Sequence, residues 1–114
     1  MLDEPKNLIP VISAPPKFTD RDAMDQTSRV YDEGSTAVLK CEAKGNPTPV
    51  IKWYFNSRPY TNPNNLPLTH KLNPFDYVLK LKTLAAHHVG AYTCNVSNSR
   101  GWLTYTYKID VNGM

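Results

Sequence analysis

The stretch KCEAKGNPTPVIKW, Lys40 to Trp53, places a cysteine twelve residues before a tryptophan. Further along, GAYTCNVSN supplies the second cysteine, Cys94, with a tyrosine two residues before it, Tyr92. Cys41 and Cys94 are 53 positions apart, which suits neither a zinc site nor a redox CxxC pair. One disulfide between them is the simplest interpretation, and it is typical of proteins that fold in an oxidising compartment.

Short runs of alternating apolar and polar residues recur after Ser28, with turn signals between them. Strict alternation indicates half-buried β-strands, and no window shows helical periodicity. The runs predict one inward-facing set: Ala37, Leu39, Cys41, Ala43, Ile51, Trp53, Phe55, Leu79, Leu81, Tyr92, Cys94, Val96, Leu103, Tyr105, Tyr107, Ile109 and Val111. We therefore predict an all-β fold, a two-sheet antiparallel sandwich with one intersheet disulfide.

The chain has 114 residues, enough for one domain with a single core. We predict a linker over residues 1–14, where no periodic pattern occurs, and a folded domain over residues 15–112. The N-terminus lacks the basic and apolar pattern of a secretion signal, and no apolar run is long enough to span a membrane. An extracellular protein with this sequence would therefore be part of a longer precursor.

Three residues of the inward-facing set have the spacing of a known core. Cys41, Trp53 and Cys94 match the disulfide and tryptophan of immunoglobulin sandwiches, and Tyr92 matches the tyrosine corner of that fold. The alternative is an unrelated β-barrel with the same spacing by chance. The pattern predicts an immunoglobulin-like fold, but this fold hosts many functions and does not by itself specify one.

Residue patterns typical of enzymes do not occur in the sequence. It contains no glycine-rich phosphate loop, no nucleophile elbow and no HExxH motif, and its acidic residues are scattered. His87 and His88 are adjacent but have no third ligand at metal-binding spacing, so we interpret them as surface residues. We expect a binding module without catalytic activity, cofactor or metal, although the full-length protein could carry a separate kinase domain.

Basic residues are concentrated in the second part of the chain. Residues 37–114 contain nine Lys and Arg against three Asp and Glu. Four lysines are predicted to share one outer face, which His70 and Lys71 would extend: Lys40, Lys44, Lys80 and Lys82. Such a row could bind a sulfated polysaccharide or an acidic partner. The alternative is a solvated surface that resists aggregation. Nucleic acid is not expected, because no aromatic residues interleave with these lysines.

The outer face of the opposite sheet is predicted to present polar side chains: Lys52, Tyr54, Thr104, Thr106 and Lys108. On the same face, Asn95-Val96-Ser97 forms a glycosylation sequon. If the sequon is occupied, a glycan stands in the middle of this sheet and partners must dock elsewhere. The alternative is a chance sequon with a bare asparagine.

The pattern LKCxAxGNPxPxIxW, followed by GxYxCxVxN, resembles an I-set immunoglobulin domain. Both ends of the chain resemble the second immunoglobulin domain of fibroblast growth factor receptors. In PPKFTDRDAM, the pair Phe18–Thr19 precedes Met24 as it does there, and TYKIDV, residues 106–111, is similar to the last strand of that domain. The resemblance covers about residues 15–111.

This resemblance implies an extracellular ligand-binding or adhesion module of a cell-surface receptor. The implied partners are a protein, either a growth factor or an adhesion partner, and heparan sulfate, with membrane attachment only through the rest of the precursor. The growth-factor surface corresponds to Ser28, Val30, Asp32 and Val111. The sulfate-binding positions correspond to Ala23, Gln26, Thr27, Val38 and Lys40, of which Lys40 alone is basic. His88 stands where I-set domains usually carry an aspartate.

A structural I-set domain of a giant intracellular muscle protein is the alternative function, because PPKF-type starts are also common there. In that case the two cysteines would stay reduced and Asn95 would carry no glycan. A secretory signal or a membrane span in the full-length gene product would distinguish the two.

Overall fold

The computed structural model describes residues 12–24, 27–60 and 77–113. Residues 1–11 of the predicted linker lie outside the described residues, as do Gln26, His70 and Lys71. Within the described part, the chain forms nine strands: β1 (Ala14–Phe18), β2 (Ser28–Asp32), β3 (Ala37–Lys40), β4 (Ala43–Asn46), β5 (Val50–Phe55), β6 (Arg58–Pro59), β7 (Val78–Leu81), β8 (Gly90–Asn98) and β9 (Gly101–Asn112). Two single-turn 3-10 helices cover Asp22–Met24 and Ala86–His88.

Five strands form the larger sheet, in the order β2-β9-β8-β5-β6. Its neighbours are antiparallel except β2, which runs parallel to β9 along one edge. A tight turn at Ser99 and Arg100 joins β8 to β9 and pairs Asn98 with Gly101. That turn fixes the register of the longest hairpin, so inward and outward positions alternate consistently across β8 and β9.

The second layer consists of the antiparallel pairs β1-β4 and β3-β7. β3 and β4 are two halves of one strand, interrupted at Cys41 and Glu42. Backbone bonds bridge the interruption, because the Cys41 N–H donates to the Tyr77 carbonyl at 2.8 Å and the Thr19 N–H donates to the Glu42 carbonyl at 3.0 Å. The second layer is therefore continuous, and the predicted all-β immunoglobulin-like sandwich is confirmed.

A disulfide between Cys41 and Cys94 joins the two layers. Both cysteines are fully buried. Trp53 lies directly opposite Cys94 on the neighbouring strand and packs on the core from β5. The inward set predicted from alternation is confirmed: all of its members are buried or partly buried.

Tyr92 forms the tyrosine corner. Its hydroxyl donates to the His88 carbonyl at 2.7 Å, and its ring stacks on Phe55 with centroids 4.6 Å apart. Burial, and then the neighbouring Tyr60, raises the pKa of the Tyr92 hydroxyl, which therefore remains a donor. A Cβ at Gly90 would lie 2.6 Å from the Phe55 ring, so this corner requires glycine at its entry.

His88 caps the helical turn before that corner. Its Nδ1 accepts a hydrogen bond from the Ala85 N–H at 2.9 Å. Burial holds the pKa of the imidazole below its ordinary value, and the positive charge of neighbouring His87 adds to this effect. An aspartate at this position would supply the same acceptor. His88 supplies it only while Nδ1 is unprotonated.

Loss of the disulfide is expected to destabilise the domain. Replacing both Cys41 and Cys94 by alanine should lower the free energy of unfolding by about 2–5 kcal/mol, the usual effect in small domains. Urea denaturation with and without reducing agent measures this. Reduction should destabilise the wild type and leave the double variant unchanged. A wild-type curve that does not respond to reduction would contradict the disulfide.

Stability is also expected to fall in mild acid. Because the folded pKa of His88 lies below the unfolded value of 6.5, the unfolded chain binds the proton more tightly, and stability is lost as pH drops below about 6.5. Thermal melts at pH 7 and pH 5 measure the loss. The variant His88→Asn, which keeps an acceptor but does not titrate, should lose less. An equal loss in both proteins would exclude His88 as the cause.

Candidate functional site

Lysines on β3 and β7 project from the outer face of the second layer. Val38 lies opposite Lys80, and Lys40 lies opposite Val78. Lys40 and Lys80 are therefore diagonal neighbours on one face, a relation that places two residues about 7–8 Å apart. Both side chains are exposed, and exposed Lys82 follows directly after β7. Leu79 and Leu81 fill the inner face behind them.

A fifth lysine joins this group through β1. Lys17 is the direct cross-strand partner of Lys44 in the β1–β4 ladder, and both side chains are exposed. Like charges directly opposite each other destabilise an antiparallel pair. Sequence reasoning missed Lys17, because the pairing of β1 with β4 is non-local and follows no short-range signal. We refer to Lys17, Lys40, Lys44, Lys80 and Lys82 as the lysine cluster.

One acidic residue interrupts the lysine cluster along the strand. Glu42 is exposed between Lys40 and Lys44, which lie four residues apart, about 13 Å along an extended chain. Burial, and then the charge of Glu42, raises the pKa of the nearby Tyr77 hydroxyl. The cluster is thus a basic surface with one negative point, and its charges are spaced along the strand direction.

The outer face of the larger sheet has a different character. Lys52, Thr104 and Lys108 are exposed there, whereas Tyr54 and Thr106 are partly buried. The Thr93 and Thr106 hydroxyls share a hydrogen bond of 2.7 Å across the β8–β9 ladder.

Asn95 lies in the middle of this face. It is partly exposed and stands between Lys52 on β5 and Thr104 on β9. The hydroxyl residue of its sequon, Ser97, is two positions further along β8, and Trp102 lies opposite it. Sequence reasoning did not single out Trp102, although the inward position of Leu103 already implies that its neighbour points outward.

The edge strand β2 carries three of the four residues that the resemblance assigns to the growth-factor surface. Ser28, Val30 and Asp32 are exposed, and 69% of Val30 is accessible, with Asp110 opposite it. Val111 does not join them. Its side chain is only 5% exposed, because it pairs with Tyr31 on the inner face of the sheet. The assignment of Val111 to a contact surface is therefore wrong, and its role is in the core.

Of the positions that correspond to the family's sulfate site, Thr27, Val38 and Lys40 have described side chains, and among these three only Lys40 is basic. Thr27 is exposed and Val38 is partly buried. Arg29, which sequence reasoning did not assign, turns inward over the Tyr107 ring, 4.7 Å from its centroid, and donates to the Val38 carbonyl at 3.3 Å. Arg29 thus packs at the edge between β2 and β3, and on the outer face of the second layer the exposed basic residues are those of the lysine cluster.

Neither a metal site nor a membrane-spanning helix is found among residues 12–24, 27–60 and 77–113. No three His, Cys, Asp or Glu side chains in these ranges come together as a metal site. The same ranges contain no helix with the length and apolarity needed to cross a membrane.

Comparison with known proteins agrees with the geometry. Fibroblast growth factor receptor-like 1 of Homo sapiens is 37% identical over 98 residues, 86% of this chain and 19% of that protein. Neural cell adhesion molecule L1-like protein of Homo sapiens is 33% identical over 101 residues, 89% of this chain and 8% of that protein. The chain thus spans less than a fifth of either relative.

Among solved structures, titin domains Z1Z2 in complex with telethonin are similar, with a TM-score of 0.73 at 27% identity over 90% of this chain and 49% of that one. The family described as Immunoglobulin domain matches residues 10–98. The chain therefore belongs to the immunoglobulin domain family and is homologous to receptor-like and cell-adhesion proteins.

Proposed function

We propose that this chain is a ligand-binding module in the extracellular part of a cell-surface protein, and that its lysine cluster binds a sulfated polysaccharide such as heparan sulfate. The observation that carries the proposal is the pairing of Lys17 with Lys44, next to the diagonal pair of Lys40 and Lys80. The similarity to receptor-like and adhesion proteins supports the extracellular setting.

Repulsion within the lysine cluster favours an anionic ligand. Two ammonium groups on directly opposed positions raise the energy of the free domain, and a bound sulfate chain would relieve that repulsion. Lysine recognises sulfate as a point charge and needs no fixed geometry. A linear polyanion can therefore contact successive lysines along β3 and β4 and bypass Glu42.

A protein partner is assigned to the β2 edge. The exposed Val30 supplies an apolar contact, and Ser28 and Asp32 flank it with polar groups. A small apolar centre inside a polar rim is the usual composition of a protein interface. The partner class is a growth factor or an adhesion molecule, in keeping with the relatives' names.

The alternative function is structural, in a giant muscle protein, and the similarity to the titin Z1Z2 structure favours it. The two functions differ in redox state, because an extracellular domain keeps Cys41 and Cys94 oxidised, whereas the cytosol keeps thiols reduced. Thiol labelling of the protein from its source cells, unfolded in denaturant without prior reduction so that the buried cysteines are accessible, distinguishes them. Two reactive cysteines would favour the structural function.

Heparin affinity chromatography tests the polysaccharide site. The wild type should be retained at low salt and released as salt rises, because exposed charges are screened over about 8 Å at physiological ionic strength. The double variant Lys44→Glu, Lys80→Glu should lose most of its retention. The matched control is the double variant Lys52→Glu, Lys108→Glu, which makes the same change in net charge on the other sheet. It should keep its heparin retention.

The melting temperature distinguishes a variant that has lost the heparin site from a variant that has lost its fold. Lys44→Glu alone should raise the melting temperature, because it places opposite charges across the β1–β4 ladder, while it weakens heparin retention. Equal loss of retention in both double variants would show attraction by net charge without a site. A wild type that is not retained at low salt would refute the polysaccharide proposal.

A further inference from the structure

The sequon on β8 lies beside an exposed apolar row. Val50, Ser97 and Trp102 stand side by side across β5, β8 and β9, because Ser97 pairs with Val50 on one side and with Trp102 on the other. Trp102 is 67% exposed and Val50 is 44% exposed. The short serine leaves a shallow trough between the two larger side chains, on the outer face of the larger sheet.

Asn95 lies at one end of this trough. It lies two residues before Ser97 on the same face, which makes it the diagonal neighbour of Trp102 across the β8–β9 ladder. Diagonal neighbours are about 7–8 Å apart, within reach of large side chains. In the other direction along β8, the hydrogen-bonded pair of Thr93 and Thr106 occupies the surface. A group attached to Asn95 therefore has open apolar surface on one side only.

We propose that Asn95 carries an N-linked glycan whose first sugars lie in this trough and pack on the indole of Trp102. The inference rests on the proposed extracellular location, where sequons are glycosylated. The C–H face of a pyranose ring is apolar while its hydroxyl groups point outward, and an indole is a large flat surface that accepts such a face. The glycan would thus cover the largest exposed aromatic side chain among the described residues.

Coverage of Trp102 has a consequence for the whole domain. A glycan in this position blocks the middle of the larger sheet, since Asn95 stands between Lys52 and Thr104. The lysine cluster lies on the opposite layer, and the β2 edge lies beyond β9. Both proposed binding surfaces therefore remain accessible while the exposed aromatic surface is shielded.

For this experiment, the chain is expressed in mammalian cells with an added secretion signal and purified from the medium. Intact mass before and after peptide N-glycosidase F reports occupancy of Asn95. Acrylamide quenching of tryptophan fluorescence reports access to Trp102, because the chain has two tryptophans and the other, Trp53, packs on the core. The variant Trp102→Thr leaves Trp53 alone and gives the baseline.

We expect the glycosylated wild type to be quenched less than the protein without glycan. Glycan removal should lower the melting temperature by about 4 °C, the size expected for one aromatic contact in a domain of this length. In Trp102→Thr, glycan removal should change the melting temperature little. Ser97→Ala prevents glycosylation without the new aspartate that the enzyme leaves at position 95, and it should match the enzyme-treated wild type.

Two results would overturn the proposal. One is a secreted chain with no glycan on Asn95. The other is a glycosylated chain in which Trp102 is quenched as strongly as in Ser97→Ala, or in which the glycan stabilises the wild type and Trp102→Thr equally. Heparin retention of the unglycosylated Ser97→Ala variant tests the lysine cluster separately, so failure of the glycan contact is distinguishable from failure of the proposed function.

Discussion

The disulfide between Cys41 and Cys94 is the constraint on which the other features of this domain depend. It ties the interruption between β3 and β4 to the centre of β8, so it connects the middle of one layer to the middle of the other. Closing a loop of 53 residues stabilises the fold by about 4 kcal/mol in the chain-entropy account. Trp53, opposite Cys94, fills the space beside it.

With the layers fixed in this way, each outer face has its own chemistry. The lysine cluster occupies the layer of β1, β3, β4 and β7, where the strand pairing brings like charges together. The larger sheet presents threonines, Asn95 and the exposed Trp102. Because a strand alternates between core and solvent, the residues that hold the sandwich together also determine which side chains reach each surface.

Much of this architecture could be predicted from the sequence, because alternation and the Cys, Trp and Tyr spacing are local signals. The site was harder to predict, because it depends on which strands become neighbours. Lys17 belongs to the lysine cluster because β1 pairs with β4, a pairing that the sequence does not reveal. Val111 was misplaced because its position was carried over from a family, although the alternation of its own strand indicated burial. His88 provides a hydrogen-bond acceptor for the Ala85 N–H, a role that its residue type alone does not reveal.

We propose that the two layers carry separate surfaces and that polyanion binding belongs to one of them. Backbone amide NMR shifts, followed during titration with a short heparin oligosaccharide at low salt, test this directly. We expect shifts confined to β1, β3, β4 and β7, strongest near Lys44 and Lys80, with β5, β8 and β9 unaffected. Shifts centred on β5 or β9, or spread evenly over both layers, would contradict it.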